Sequence, residues 1–272
     1  MNSDQGILQV NVYNETIALP IENATVRIFT NDYSELLFEE HTDSSGQTPS
    51  VFLKAPPLEY SMEFGMPKPY DIYALTINAD GFEPVYITGV QLLPLQTALQ
   101  NVFMTPIVLD DFEAGNIDIY DHTLWGIFPP KIPEDEVKPL PDSGGLVVLP
   151  EPVIPEYVIV NLGPPSNPSA EKVWIPYKDY IKNVASSEIY STWPIETIKA
   201  NVLAINSFVL NRVYTEWYRG RGYEFTITNS TAYDQEFVYG RNIYDEISVV
   251  VDELFSTYIT RPNIAQDRKS VV

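Results

Sequence analysis

Residues 177–214 read YKDYIKNVASSEIYSTWPIETIKANVLAINSFVLNRVY, and their spacing decides the fold of the second half of the chain. Apolar residues recur at intervals of three and four on both sides of Trp193-Pro194, which is the pattern of two helices that each bury one face. Proline is favoured in the first turn of a helix, so the second helix should begin at this pair. The predicted helices run from about 177 to 189 and from about 193 to 214. Their apolar stripes are Tyr177, Ile181, Val184 and Ala185, then Ile195, Ile198, Val202, Ile205, Val209 and Val213.

Glu188 continues the apolar stripe of the first helix, four residues after Val184. A carboxylate on the inward face of a helix is unusual, and burial there favours its protonated form. A carboxyl group that stays protonated near neutral pH can act as a general acid. The pattern therefore makes Glu188 the candidate catalytic residue. The alternative is that Glu188 lies at a fraying helix end and points into water.

The remainder of the second half predicts a third helix between two short strands. Asn242 is a good helix N-cap, and apolar residues recur at helical spacing after it, so a helix should begin there. The strands are expected at 224–228 and 256–260.

A polar loop over 229–241 combines aromatic rings, amides and an arginine. This mixture suits sugar rings, because aromatic faces pack on C–H bonds while sugar hydroxyls need hydrogen-bond partners. It also suits an ordinary polar surface. Tyr239 and Arg241 are the candidate substrate-binding residues of this loop.

The first hundred residues predict strands. Polar and apolar residues alternate in six segments, and turn-forming pairs such as Asn31-Asp32 and Asp80-Gly81 separate them. The segments begin at Gly6, Ala24, Glu35, Tyr73, Tyr86 and Leu99. Such spacing is typical of an antiparallel β-sandwich. We therefore expect an α+β protein with an N-terminal antiparallel β-sandwich over 1–106 and a helix-rich α+β domain over 174–272.

Proline marks the boundary between the two regions, since twelve of the 23 prolines fall within 129–176. Proline fixes φ and removes a backbone donor, so this segment should be neither helix nor sheet interior. We interpret 107–173 as a Pro-rich, acidic connector. Its middle is a bendable stretch in which a protease could engage the backbone, with a plain linker as the alternative. The candidate processing segment consists of Gly144, Gly145, Leu146, Val147, Val148 and Leu149.

Charge is distributed unevenly along the chain. Residues 1–150 carry 22 acidic and 5 basic residues, a net of −17, whereas 151–272 carry 15 and 11, a net of −4. This contrast favours two units with different roles. The chain as a whole, at −21, is a poor candidate for binding nucleic acid, which needs a basic face.

Several other function classes are excluded by composition. The sequence has no run of 18 apolar residues and begins without the basic and apolar regions of a secretory signal, so we expect neither a membrane span nor a signal peptide. Because there is no cysteine and only two histidines, Cys-ligated zinc and a multi-His site are excluded. We therefore expect no metal and no other cofactor.

Three motifs of the second half resemble the SpoIID/LytB domain family. They are the segment from Ile175 to Glu188, a helix containing tyrosines that ends in glutamate; Trp193-Pro-Ile-Glu-Thr-Ile-Lys-Ala200; and Thr231-x-x-x-Gln235-x-Phe237 with Gly240. The resemblance implies that Glu188 is the catalytic glutamate, at the position that helical periodicity indicates independently. It also implies that Gln235 and Trp193 lie near the substrate cleft.

The first half resembles the transthyretin-like module more loosely, through the turns at 42–46 and 79–84. The order of a β-sandwich, a Pro-rich segment and a SpoIID-like domain resembles spore cortex-lytic enzyme precursors of the SleC type.

This resemblance implies a lytic transglycosylase that cuts the MurNAc–GlcNAc glycan strands of spore cortex peptidoglycan during germination. The enzyme would be a zymogen that a subtilisin-like protease activates by removing residues up to about 149. Loss of the acidic half would also lessen repulsion from an anionic glycan. The implied partners are the cortex glycan strands and the activating protease, and the implied location is the spore cortex, the coat region or the cell wall.

The sequence departs from the family pattern at three places. Many relatives bind zinc through His and Cys in the loop that matches 228–237, and this chain has neither residue type there. Where many relatives have Ala-Arg-Thr-Tyr on the second helix, this chain has Ile205-Asn-Ser-Phe208. The family domain extends beyond the position that matches Val272, so we expect the chain to be truncated at its C-terminus.

Two other functions stay open. One is a non-catalytic peptidoglycan-binding or scaffold protein of the spore or cell wall, for which the β-sandwich and the missing metal ligands argue. The other is a hydrolytic muramidase, which would need a second carboxylate such as Asp234 or Glu236.

Overall fold

The computed structural model describes residues 4–107, 114–121, 124 and 152–260. The chain divides into two compact units, each built from segments that are not continuous in sequence. Unit 1 comprises Met1–Trp125, Tyr190–Trp193 and Tyr239–Glu246, and unit 2 comprises Gly126–Ile189, Pro194–Val238 and Ile247–Val272. The candidate processing segment 144–149 lies outside the described residues.

Unit 1 is built from two β-sheets. Its strands are β1 (Gln5–Asn14), β2 (Thr25–Thr30), β3 (Leu36–His41), β4 (Val51–Lys54), β5 (Asp71–Asn78), β6 (Val85–Leu92), β7 (Thr97–Met104), β8 (Gly115–Asp118) and, from the late segment of the chain, β12 (Ile243–Tyr244). The first sheet has the order β4-β1-β7-β12, and the second has the order β3-β2-β5-β6-β8. A short 3₁₀ helix, Leu58–Ser61, follows β4.

Alternation along the strands gives each sheet one buried face, as the sequence pattern predicts. In β1 the inward side chains are Leu8, Val10 and Val12, none more than 1% exposed. The partner strand β7 buries Ala98, Val102 and Met104 in the same way. The six predicted strands are present, and β4 is an additional strand that the pattern missed because it is only four residues long.

Two strand pairs in unit 1 are parallel, so the expectation of an antiparallel sandwich is wrong for them. β1 runs parallel to β7 over Ile7–Asn14, and β6 runs parallel to β8 over Val85–Thr88. Strand direction was not predictable here, because the alternation of polar and apolar residues reads the same in either direction. The other strand pairs described in unit 1 are antiparallel.

Unit 2 combines a small sheet with helices. Its strands are β9 (Tyr157–Asn161), β10 (Lys172–Pro176) and β11 (Ile227–Thr228), in the order β10-β9-β11. Helix α1 spans Tyr177–Glu188 and helix α2 spans Ile195–Tyr214, in agreement with the predicted helices. A 3₁₀ turn at Arg219–Arg221 follows α2, and α3 spans Asp245–Leu254.

The predicted apolar stripes form the core of unit 2. All four stripe residues of α1 are buried, and so are the central four of α2. Ile195, at the start of the α2 stripe, is instead 48% exposed. Along the described residues, none of the helices has the length and apolar character needed to cross a bilayer.

The structure corrects the expectation of a connector over 107–173. β9 is the central strand of its sheet, with Val158 and Val160 fully buried, although proline content predicted an extended connector there. The run 157–161 contains no proline and three β-branched residues, so local composition outweighs that of the surrounding segment. β8 is likewise a strand within the predicted connector.

The third helix begins at Asp245 rather than at Asn242. The two residues before it pair with β7 instead, with Ile243 opposite Leu99 and Tyr244 opposite Ala98. The strand predicted at 224–228 is reduced to Ile227–Thr228, and residues 256–260 form no strand.

Candidate active site

Glu188 is the last residue of α1, where the helix ends and the chain turns extended at Ile189. Its side chain is partly buried, so it is neither fully solvated nor sealed inside the core. One carboxylate oxygen, Oε1, accepts a hydrogen bond of 3.1 Å from the backbone N–H of Glu236. The carboxyl group is therefore held against a loop from the later part of unit 2, which we call the site loop (residues 234–238).

Tyr180 binds the site loop two turns before Glu188 on the same helix. Its hydroxyl donates to Oε1 of Gln235 at 3.2 Å, and its ring stacks on Phe237 with centroids 5.6 Å apart. Burial, together with the negative charges of Asp234 and Glu188, raises the pKa of Tyr180 well above its usual value. The phenol therefore stays protonated and serves as a donor.

Asn183 fixes the end of the site loop. Its Nδ2 donates to the carbonyl of Val238 at 2.7 Å, and its Oδ1 accepts from the N–H of Val238 at 3.0 Å. Both bonds are buried. The side-chain amide thus pairs with the peptide backbone in the way that a neighbouring strand would.

Asp234 is the first residue of the site loop, and its carboxylate holds the loop to neighbouring parts of unit 2. Its Oδ1 accepts from Nε of Arg212 at 2.8 Å, and its Oδ2 accepts from the hydroxyl of Tyr218 at 2.8 Å. The backbone N–H and the hydroxyl of Thr228 complete the set, at 2.9 and 2.7 Å. Four donors satisfy a carboxylate that water does not reach, so Asp234 is a structural ion and a poor candidate for a second catalytic carboxylate.

Gln235 lies between these anchors. It is buried, and its Nε2 donates to the carbonyl of Ile205 at 3.2 Å while its Oε1 accepts from Tyr180. Both ends of the amide are therefore engaged within unit 2. Glu236, the next residue, is partly buried.

The other predicted site residues belong to unit 1. The indole N–H of Trp193 donates to the carbonyl of Ser61 at 2.8 Å, and its ring meets Tyr190 edge-on. Tyr239 is 46% exposed. Arg241 is only 4% exposed and donates from Nη2 to Oε1 of Gln91 at 2.8 Å. This environment makes Arg241 a stabilising residue of the β-sheet region, which the loop composition alone did not indicate.

Sequence reasoning missed Tyr180 and Asn183. Tyr180 lies three residues before Asn183 and eight before Glu188 on α1, and all three side chains contact the site loop. The apolar stripe of Tyr177, Ile181 and Val184, which Glu188 continues, includes neither residue. Helical spacing from Glu188 does not identify them, because their partners in the site loop lie 55 residues away in sequence. Within the described residues, no three His, Cys, Asp or Glu side chains are grouped so as to hold a metal ion.

Comparison with known families bears on the same segment. The model of the SpoIID family, described as Stage II sporulation protein, matches residues 169–254. The chain contains a SpoIID-like domain. The matched range includes α1, α2, the site loop and α3, and thus all five predicted catalytic and substrate-binding residues. No curated protein matches the sequence significantly.

Structure comparison finds solved proteins that match 38–40% of the chain. The Bacillus anthracis TIE protein is 11% identical, with a TM-score of 0.27 and 17% of its own length covered. The minor pilin GBS52 of Streptococcus agalactiae is 10% identical, with a TM-score of 0.28 and 48% of its length covered. Klebsiella pneumoniae 5-hydroxyisourate hydrolase is 14% identical, with a TM-score of 0.25 and 92% of its length covered. The chain thus spans less than half the length of the first two, and similarity at this level carries no functional argument.

Proposed function

We propose that this protein is a precursor of a lytic transglycosylase that cleaves the glycan strands of spore cortex peptidoglycan, with Glu188 as its catalytic residue. A SpoIID-like domain points to a sporulation-related role associated with peptidoglycan. The observation that carries the proposal is the setting of Glu188. It is a partly buried carboxyl group at a helix end, it lies inside the matched domain, and the N–H of Glu236 holds one of its oxygens.

In the proposed reaction Glu188 acts first as acid and then as base. Its protonated carboxyl gives a proton to the oxygen between MurNAc C1 and GlcNAc, and the C1–O bond breaks. The carboxylate then takes the proton from the C6 hydroxyl of the same MurNAc. The C6 oxygen attacks C1, which closes a 1,6-anhydro ring, and Glu188 ends the cycle protonated as it began.

The contact with Glu236 supports this cycle physically. A backbone N–H that donates to a carboxylate stabilises the charged form, which is the form that exists between the two proton transfers.

A single carboxylate is enough for this reaction, whereas a hydrolytic muramidase needs two. Asp234 is buried and its oxygens accept four hydrogen bonds, which argues against it as the second carboxylate. Glu236 stays a chemically reasonable partner, since it is partly buried and adjacent to Glu188 through its own backbone. The identity of the sugar ends distinguishes the two reactions.

We also propose that cleavage within 144–149 by a subtilisin-like protease activates the precursor, at the spore cortex or coat. The Gly144-Gly145 pair supports this, because a bendable backbone is readily engaged by a protease.

The test uses purified protein, intact or nicked by a subtilisin-type protease, with decoated spore cortex as substrate. Mass spectrometry of the soluble products should show anhydro-muropeptides, at a higher yield from the nicked protein. New reducing muramic ends would indicate a hydrolase instead. Sedimentation with cortex in the absence of any new end would indicate the non-catalytic wall-binding protein.

A further inference from the structure

α1 contacts every residue from Gln235 to Val238 by a side chain. Tyr180 binds Gln235 and stacks on Phe237, Glu188 accepts from the N–H of Glu236, and Asn183 pairs with Val238. One helix thus carries both the catalytic carboxyl group of the proposed reaction and the groups that fix its hydrogen-bond donor.

We propose that Asn183 is a positioning residue for Glu188, and that it acts through the site loop by fixing the N–H of Glu236 against the carboxylate. The proposal rests on the proposed function only for its effect on catalysis. Its structural part is that the bonds between Asn183 and Val238 control the bond between Glu236 and Glu188, and this part depends only on the observed contacts.

The geometry favours Asn183 over the other contacts of the loop. It makes two buried hydrogen bonds to the backbone of one residue, Val238, and these fix both the position and the direction of the chain two residues beyond Glu236. Tyr180 makes one hydrogen bond to the side chain of Gln235 and a ring contact with Phe237, and neither holds the backbone directly. The bonds of Asp234 lie two residues before Glu236. Without Asn183, the loop beyond Glu236 would keep the stacking of Phe237 on Tyr180 but lose both hydrogen bonds to its backbone.

The amide is also the functional group that this position requires. Val238 presents one donor and one acceptor, and asparagine supplies one of each. Aspartate can accept from the N–H of Val238 but cannot return a donor when ionised. Asn183→Asp should therefore keep half of the interaction, and Asn183→Ala should lose all of it.

The experiment follows the Glu236 amide by NMR in full-length protein across a pH titration. In the wild type, the Glu236 amide shift should move with the protonation of Glu188, and Glu188→Gln should abolish that movement. In Asn183→Ala the movement should fall by more than half, and hydrogen exchange at Glu236 and Val238 should rise about tenfold, as expected for the loss of about 1.4 kcal/mol. Asn183→Asp should give an intermediate result.

Asn206→Ala is the matched control, because Asn206 on α2 also donates two hydrogen bonds, both partly buried, to the distant carbonyls of Phe255 and Thr257. It should lower stability without changing the Glu236 titration. If Asn183→Ala leaves that titration unchanged, or if Asn206→Ala abolishes it equally, the positioning role is wrong.

Activity on cortex then provides the second readout. Asn183→Ala should lower kcat about tenfold at nearly unchanged KM, and should move the alkaline limb of the pH–rate profile upward by about 0.5 to 1 unit. If Glu188→Gln stays active while the amide titration behaves as expected, the proposed function fails and the positioning contact stands. A tenfold rise in KM alone, with an unchanged pH profile, would contradict the positioning role.

Discussion

Asp234 and Arg212 form a buried ion pair, with 2.8 Å between Oδ1 and Nε and with side chains that are 0% and 3% exposed. The guanidinium of Arg212 also lies over the rings of Phe208 and Trp217, with its carbon 4.6 and 4.7 Å from the centroids. The site loop therefore begins at a buried carboxylate, that of Asp234, whose charge is balanced by Arg212. Breaking such a pair from one side leaves the other charge uncompensated.

Asp234→Asn should therefore destabilise the protein strongly, by about 3–5 kcal/mol in the free energy of unfolding. Urea denaturation followed by circular dichroism measures the change. Asp252→Asn is the control, because Asp252 bonds Lys178 and Lys182 at 3.2 and 3.0 Å on the surface and should cost less than about 1 kcal/mol. Equal effects of the two substitutions would contradict the structural role of Asp234.

Alkaline pH should destabilise the protein through two tyrosines of unit 1. Burial is the main cause that raises the pKa of Tyr73 and of Tyr244 to about 12. Their hydroxyls donate to the carbonyls of Lys54 and Gln91 at 2.7 and 3.1 Å. Because the unfolded chain ionises near pH 10 while the folded chain keeps these protons, stability should be unaffected below about pH 10 and lost as pH rises towards 12.

Urea midpoints measured between pH 8 and pH 12 check this expectation. The double variant Tyr73→Phe, Tyr244→Phe should show a shallower loss over the same range. An identical slope in wild type and double variant would show that other groups control the alkaline transition.

The late segment 239–246 should keep a nicked chain together. Within unit 1, Ile243 and Tyr244 extend the first sheet beside β7, and Asn242 exchanges two hydrogen bonds of 3.0 Å with the backbone of Gln91. These contacts join residues on opposite sides of the processing segment. After cleavage within 144–149, the two fragments should therefore elute together in gel filtration, and residues 150–272 expressed alone should fold poorly.

Gly240→Ala provides the variant for this prediction. Gly240 has a φ of +72°, and an added Cβ would collide with the side chain of Ile117 on β8. The substitution should weaken fragment retention, whereas Gly222→Ala, at a φ of +88° with open space around it, is a control for backbone strain alone. Fragments that separate at once in the nicked wild type would overturn the prediction.

The helices of unit 2 could be predicted from the sequence because their information is local. The stripes of Tyr177 to Ala185 and of Ile198 to Val209 are spaced to bury one helix face, and the structure buries them. Proline before each helix fixed where it begins. The same periodicity predicted Glu188 on the inward face, and the structure places it partly buried at the end of α1.

Non-local pairing set the limit of that prediction. Asn242 has the composition of a helix N-cap, but its amide bonds Gln91, which lies 151 residues away in sequence. Arg241 has the composition of a polar loop residue, but it is buried and donates a hydrogen bond to the same glutamine of β6. The two hydrogen bonds between Asn183 and Val238 likewise join residues that are 55 apart in sequence. The spacing of residues within one helix or strand contains no information about partners so far away in sequence.

Cortex digestion by Glu188→Gln and by Glu236→Gln, with folding verified by the urea midpoint, tests whether Glu188 is the proton donor. Both substitutions neutralise one partly buried carboxylate of the same site. We expect Glu188→Gln to abolish anhydro-muropeptide release and Glu236→Gln to keep it within about tenfold of wild type. Undiminished release by Glu188→Gln would contradict the assignment of Glu188 as the proton donor.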